Sequence, residues 1–256
     1  MSYPRIDPET RFRRMTSVSI LGMGGSLSAY FQDYESAGHK MPSDEAWGVN
    51  SVSYWLGPKM LSHGIALDAF DRDIVMDGGK WRQYVLNITG CGLPVIADKT
   101  YDEYPNVQAY PYLDVVADIW PDAKSEADII PDLENTINFS VALAIHRGFD
   151  EIRLYGADFR GTDDPYKVAA VADALEDIKP RWFVFHNSEI VRGRREMEPG
   201  EPCTMWLLGV AHARGIKVKV CRGSTLMNQD RGRYIYGPQI APEIFPEDPK
   251  AEALKT

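Results

Sequence analysis

A chain of 256 residues with 44% hydrophobic and 25% charged residues can bury a sizeable core and is not compositionally disordered. Its net charge of −9 speaks against a surface that binds nucleic acid indiscriminately, although basic residues cluster at 11–14, 192–195 and 222–233 and leave a local patch open. Three cysteines, Cys91, Cys203 and Cys221, form no CxxC pair, so no zinc site is expected and a reducing compartment fits.

In chain order, residues 1–15 read as an extended arm, polar and without an apolar run of signal-peptide length. No stretch has the apolar length of a membrane span, so the expectation is a cytoplasmic protein without a membrane partner. The run 18–21 predicts a first strand broken by Gly22, and Ser26 or Ser28 caps a helix over 28–37. Strands follow at 46–49, ending at Asn50, and at 73–76, ending at Asp77. Between them, 54–63 reads as partly helical, interrupted by Gly57 and Pro58. A helix over 81–88 stops at Gly90 and Gly92, and strands at 94–97 and 107–110 come next.

The stretch 111–131 is the least legible and is expected to be an insertion. Apolar residues Ile137, Val141, Leu143, Ala144 and Ile145 then predict a helix over 136–147, closed by Gly148 and feeding a strand over 151–155. A helix over 166–178, a strand at 182–185, a helix over 204–214 stopped by Gly215, and a strand at 216–220 complete the alternation. The chain therefore divides into an arm (1–15), a single domain (16–237) with an insertion around 99–135, and a Pro-rich acidic tail (238–256). Strands alternating with helices predict a Rossmann-like three-layer α/β sandwich with a mainly parallel sheet.

In such sheets ligands bind beyond the carboxyl ends of the strands, which singles out five turns. The first is Gly22-Met23-Gly24-Gly25-Ser26-Leu27, where glycines let backbone N–H groups approach a phosphate ahead of a helix. Leu27 stands where a dinucleotide fingerprint has its third glycine, and Asn50 where it has an acid, so an NAD enzyme is disfavoured. A plain tight turn is the competing reading. Asn50, at the second turn, can hold a ribose or phosphate oxygen, or close the strand as an Asx turn.

Asp77 at the third turn can contact a ligand or cap the following helix. Asp71-Arg72-Asp73 spells DxD but precedes its strand, which weakens it as a metal site. Asp158, after Gly156 in the fourth turn, lies toward the same edge as Asn50, or serves as a cap or ion-pair partner. His186 leaves the apolar run Phe183-Val184-Phe185 and suits proton abstraction, with a structural histidine as the alternative. Arg192, Arg194 and Arg195 follow and can neutralise a diphosphate, or simply face solvent.

The order of these motifs resembles the family of sialyltransferase-like Rossmann proteins, which includes bacterial CMP-sialic acid transferases and 6-hydroxymethylpterin diphosphokinase-like proteins. The residues that carry the resemblance are Gly22 to Leu27, Val49-Asn50-Ser51, Ile74-Val75-Met76-Asp77, and the helix from Asn138 leading through Gly148-Phe149 to Gly156-Ala157-Asp158-Phe159. Gly25 replaces the proline usual in the first motif. The resemblance covers residues 18–160 and, more loosely, the surroundings of His186. A compact acidic chain of this kind also fits a phage-encoded protein.

The resemblance implies a nucleotide held at Gly24 to Ser26 and Asn50, Asp158 near the base or sugar, and His186 as base. The leading expectation is a metal-independent transferase that takes a nucleotide-activated donor, above all a nucleotide sugar, and an unknown acceptor, with no tightly bound cofactor. Its catalytic residues are His186 and Asp158, and its nucleotide is bound by Gly22, Gly24, Gly25, Ser26, Asn50, Asp77, Arg194 and Arg195. One alternative is ATP-dependent diphosphate transfer, in which Asp77 and Asp158 would hold Mg2+. Another is a non-enzymatic protein that sequesters a nucleotide. A homo-oligomer stays open.

Overall fold

The computed structural model describes residues 15–71, 79–121, 133, 135–158, 200–222, 224 and 226. Strand β1 (Ser17–Leu21) leads through a single 3-10 turn (Gly25–Leu27) into α1 (Ser28–Ser36). Then come β2 (Glu45–Val49), α2 (Val52–Met60), β3 (His63–Ala66) and α3 (Lys80–Thr89). The chain continues through β4 (Val95–Ala97), β5 (Val107–Ala109) and α4 (Tyr112–Ile119). It closes with α5 (Thr136–His146), β6 (Glu151–Tyr155), α6 (Gly200–Ala213) and β7 (Lys217–Val220).

The seven strands form one sheet in the order β5-β4-β3-β2-β1-β6-β7, and every pairing is parallel. Both faces are covered because alternate side chains of the inner strands are all apolar or satisfied. Val18, Ile20, Trp47, Val49, Ile152 and Leu154 pack with α4, α5 and α6. Leu21, Ala46 and Tyr155 face α1 and α2, and Ala66, Val95 and Ala97 face α3. Ser19 is buried among them, and its hydroxyl is paired with Ser43 Oγ at 2.6 Å. This is the Rossmann-like sandwich that the alternation predicts.

Strand β3 corrects the expectation of helix over 54–63. The helix ends at Met60 after a break at Gly57 (φ +59°, ψ −167°), and His63 opens a strand. That strand hides in the sequence because it is short and holds a glycine, for a reason visible only in the packing. Gly64 pairs with Gly48 of β2, and α2 settles directly on both. A Cβ at Gly48 would lie 2.9 Å from the Ser53 backbone, and one at Gly64 would lie 2.9 Å from Ser53 Oγ. Ser53 in turn donates its hydroxyl to the Gly48 carbonyl at 2.7 Å.

The strand expected at 73–76, the helix at 166–178 and the strand at 182–185 lie outside the described residues. Within the expected insertion, α4 places Val115 and Ile119 in the main core. Gly148 takes the left-handed conformation (φ +71°) required after α5. No helix among the described residues is long and apolar enough to cross a membrane.

The amino end of β3 carries a pH-sensitive contact. Burial pushes the His63 imidazole below its ordinary value, Glu45 beside it acts in the opposite sense, and Arg147 adds to the lowering. The unfolded chain then binds the proton better than the folded one. Stability from this group is complete above about pH 6.5 and is lost as the pH falls through the lower folded value. Urea midpoints at about pH 7.5 and 5.5 should therefore differ less in His63→Gln than in the natural chain. An unchanged difference would assign the slope to other groups.

Candidate functional site

Strand order places the topological switch between β1 and β6, where one crossover leaves toward β2 and another arrives from α5. The two turns that follow these strands meet there. Gly22 N–H donates to the Tyr155 carbonyl at 2.8 Å, and Gly24 N–H to the Gly156 carbonyl at 2.9 Å. Beyond its last strand residue, the β1–β6 ladder thus continues into the turns themselves.

Glycines make this approach possible. Gly156 adopts φ +63°, and a Cβ on it would run into the Gly22 carbonyl. A Cβ on Gly22 would sit 2.5 Å from the Gly156 carbonyl oxygen, and one on Gly24 would sit 2.5 Å from the Asp158 side chain. At Gly22 and Gly24 this motif makes a backbone contact between the two turns.

Ser26 and Asp158 lock that contact. Ser26 N–H donates to Asp158 Oδ2 at 2.7 Å, and the Ser26 hydroxyl donates to Oδ1 at 2.9 Å. The same hydroxyl oxygen accepts the Gly156 N–H at 3.0 Å, which fixes the direction of the relay. On the far side, Cys221 lies 3.4 Å from the Ser26 carbonyl, and burial pushes its thiol up to about 12. It is an inert structural cysteine. Ser224 donates to the Ala157 carbonyl at 3.1 Å, so the segment after β7 also braces this turn.

With the Gly22, Gly24, Ser26 and Leu27 N–H groups engaged inside the protein, those of Met23 and Gly25 are the turn donors without a partner among the described residues. A further donor comes from Asn50. It stands just beyond β2 with φ +52°, a conformation uncommon outside glycine and best tolerated by asparagine. Its side chain does not close an Asx turn. Instead Oδ1 accepts the Thr136 hydroxyl at 3.3 Å, linking the β2 edge to the first turn of α5. The Asn50 Nδ2 has no partner among the described residues.

Asn135 and Thr136, at the start of α5, are not among the site residues expected from sequence. Asn135 caps the helix by accepting the Asn138 N–H at 3.0 Å, while its own Nδ2 is buried without a partner. An asparagine directly ahead of a periodic apolar run was the available signal. Ile137 of the same turn would meet a Cβ on Gly22 at 2.9 Å, so α5 begins beside the glycine turn. The structure thus brings Gly22, Gly24, Gly25, Ser26 and Asp158 together, and Thr136 ties Asn50 to the same edge.

Asp77, His186, Arg194 and Arg195 lie outside the described residues. Asp71, the first residue of the DxD triplet, is exposed and held by Lys99 at 2.5 Å, which keeps its carboxyl below the usual range.

No family model matches this sequence, and no curated protein matches it. Among solved structures, it is similar to the sialyltransferase CstII from Campylobacter jejuni in complex with the substrate analogue CMP-3FNeuAc. Identity there is 14%, 84% of each chain is covered, and the TM-score is 0.48. It is also similar to the same enzyme with cytidine-5'-monophosphate (16% identity, 84% of this chain and 83% of that chain, TM-score 0.46). A third similar structure is CST-II with a trisaccharide acceptor and CMP (15% identity, 83% and 84% covered, TM-score 0.45). Likeness at this level transfers no residue role.

Proposed function

We propose that the chain is a metal-independent transferase that takes a nucleotide-activated donor, a nucleotide sugar, and passes its sugar to a hydroxyl acceptor. The observation that carries this reading is the meeting of the Gly22–Leu27 turn with Gly156–Asp158 at the sheet's switch point, beside the cap of α5. Unpartnered donors at Gly25, Asn50 and Asn135 suit an acceptor-rich ligand of the kind a ribose phosphate presents. In this reading Gly25 N–H holds a phosphate oxygen, while Gly22, Gly24 and Ser26 shape the turn. Asn50 holds the ribose or phosphate. His186 deprotonates the acceptor, Arg194 or Arg195 neutralises the departing phosphate, and Asp77 lines the nucleotide.

A thermal-shift screen of nucleosides, nucleotides and nucleotide sugars, repeated with chelator, tests the reading. A cytidine or uridine nucleotide should raise the midpoint with chelator present. A flat screen would sink the proposal, and a shift by ATP that needs Mg2+ would turn it toward diphosphate transfer.

Asn50 offers a separable prediction. Asn50→Gly keeps the left-handed backbone and removes only the carboxamide. Thermal stability should stay near that of the natural chain while nucleotide affinity falls about tenfold, the worth of one good hydrogen bond to a charged group. Unchanged affinity would return Asn50 to a purely structural role.

A further inference from the structure

We infer that the chain pairs with a second copy of itself, as a two-fold symmetric dimer, through the outer face of α4 and α6. The inference stands apart from the nucleotide reading. A solvent-facing helix carries polar residues outward, as α1 does with Gln32, Glu35 and Ser36. On α4, Val115 and Ile119 enter the core, while Leu113 is 68% exposed. Val116 and exposed Ala117 follow Leu113 at helical spacing. Trp120 ends the stripe, its N–H still donating to the Val116 carbonyl at 2.8 Å. Its indole stacks on that of Trp206 from α6, with ring centroids 5.1 Å apart and planes inclined by 20°. From Cys203 to Ala211 α6 holds no charged residue, although Trp206 and Val210 are only half-buried. A helix apolar on all sides is normally covered.

This face complements itself. Leu113 and Trp120 lie equally far from the midpoint between Val116 and Ala117. A two-fold axis through that midpoint runs two α4 helices antiparallel and sets Ala117 close to its own copy. It lays Leu113 of each chain on the Trp120–Trp206 pair of the other. The same axis brings opposite charges together. Asp114, exposed in the first turn of α4, falls beside Ile119 of the other chain and so near its Arg214. Arg214 donates to Asp118 Oδ1 and Oδ2 at 3.1 and 3.0 Å and to the Asp118 carbonyl at 2.7 Å. His146 of α5 lies 3.2 Å from the same carboxylate, so Asp118 is compensated within its own chain. The exposed guanidinium has donors beyond these bonds to offer an incoming carboxylate. A parallel pairing would set Asp114 against Asp114 and lose both matches.

The test is light scattering and sedimentation of the full chain over a micromolar concentration series, with three variants. The natural chain should reach twice the mass of one chain. Leu113→Asp alters a side chain that the folded monomer exposes, so the melting curve should stay in place. Association should weaken at least about thirtyfold, the worth of a central anchor. Asp114→Arg, which sets a like charge near Arg214 of the other chain, should weaken it about tenfold, and less at high salt. Ala117→Cys, mildly oxidised, should give a disulfide-linked dimer that the natural chain, with its own three cysteines, does not give. Adding Leu113→Asp to that chain should abolish the link. A monomer at every concentration overturns the inference. So does a dimer that folded Leu113→Asp leaves intact, or one that Ala117→Cys fails to link, since it uses another face. If Leu113→Asp does not fold, Asp114→Arg and Ala117→Cys decide in the same way.

Discussion

Gly156→Ala is expected to destabilise the protein by about 2–5 kcal/mol and to remove nucleotide binding with it. Two separate penalties add. The residue sits at φ +63°, where an L-side chain costs about 1–2 kcal/mol. The new methyl also points at the Gly22 carbonyl, which is backbone and cannot rotate away. Relieving that overlap means moving the two turns apart, at about 1–3 kcal/mol for a packed interior. In a chain of this length such a loss lowers the melting midpoint by roughly 10 °C.

Gly148→Ala provides the control. Gly148 has φ +71° and nothing within 4 Å of a new Cβ, so it isolates the conformational penalty. Circular-dichroism melts of both variants give the comparison. A larger loss at Gly156 assigns the excess to the turn contact, and equal losses would mean that the two turns do not touch as described. Binding measured on whatever Gly156→Ala protein folds adds the functional half: a closed turn is needed to hold Ser26 against Asp158, and an opened one scatters the donors.

The elements that could be read from sequence are those whose signals are local. Gly148 announces itself because a helix with apolar Ile137, Val141 and Ile145 needs a left-handed residue to leave it, within a dozen residues of its start. β1 and the turn after it were legible for the same reason. What was not legible depends on partners far away in the chain. Gly22 and Gly24 are small because of Gly156 and Asp158, more than a hundred residues later, so the same letters fit a phosphate cradle and a contact between turns. Gly64 gave no strand signal because the cause of its size, Ser53 of α2 packed against it, shows only in the fold. Helix α4 was obscured by its own setting of prolines and tyrosines, although Val115 and Ile119 stand four apart on its buried side.

The same distinction governs the site. Asn50 was legible as a strand-end asparagine, and its φ of +52° adds what spacing cannot contain, a backbone held in a conformation few residues accept. Asp158 was legible as an acid beyond β6, but its two hydrogen bonds to Ser26 depend on a partner 132 residues away and could not be read from spacing. The donors left for a ligand follow by subtraction from those the protein already uses.

His186→Ala is expected to lower turnover by about 10²–10⁴-fold while leaving nucleotide affinity within about twofold. A sugar hydroxyl is a poor nucleophile until its proton is withdrawn, and imidazole is suited to that work near neutrality. In the natural chain kcat should rise with pH through the histidine range near about 6.5, because the neutral ring is the base. In His186→Ala that limb should disappear, and what remains should be flat across it. A histidine that merely packs at the end of Phe183-Val184-Phe185 would behave otherwise: its loss would lower the melting midpoint and leave the pH profile in place. Donor consumption and pH profile, measured together with affinity, thus separate the roles. Retained turnover with the acid limb intact removes His186 from the mechanism. A natural chain that binds the donor and returns it whole after denaturation, whatever the acceptor supplied, makes the switch-point crevice a place of capture and not of transfer.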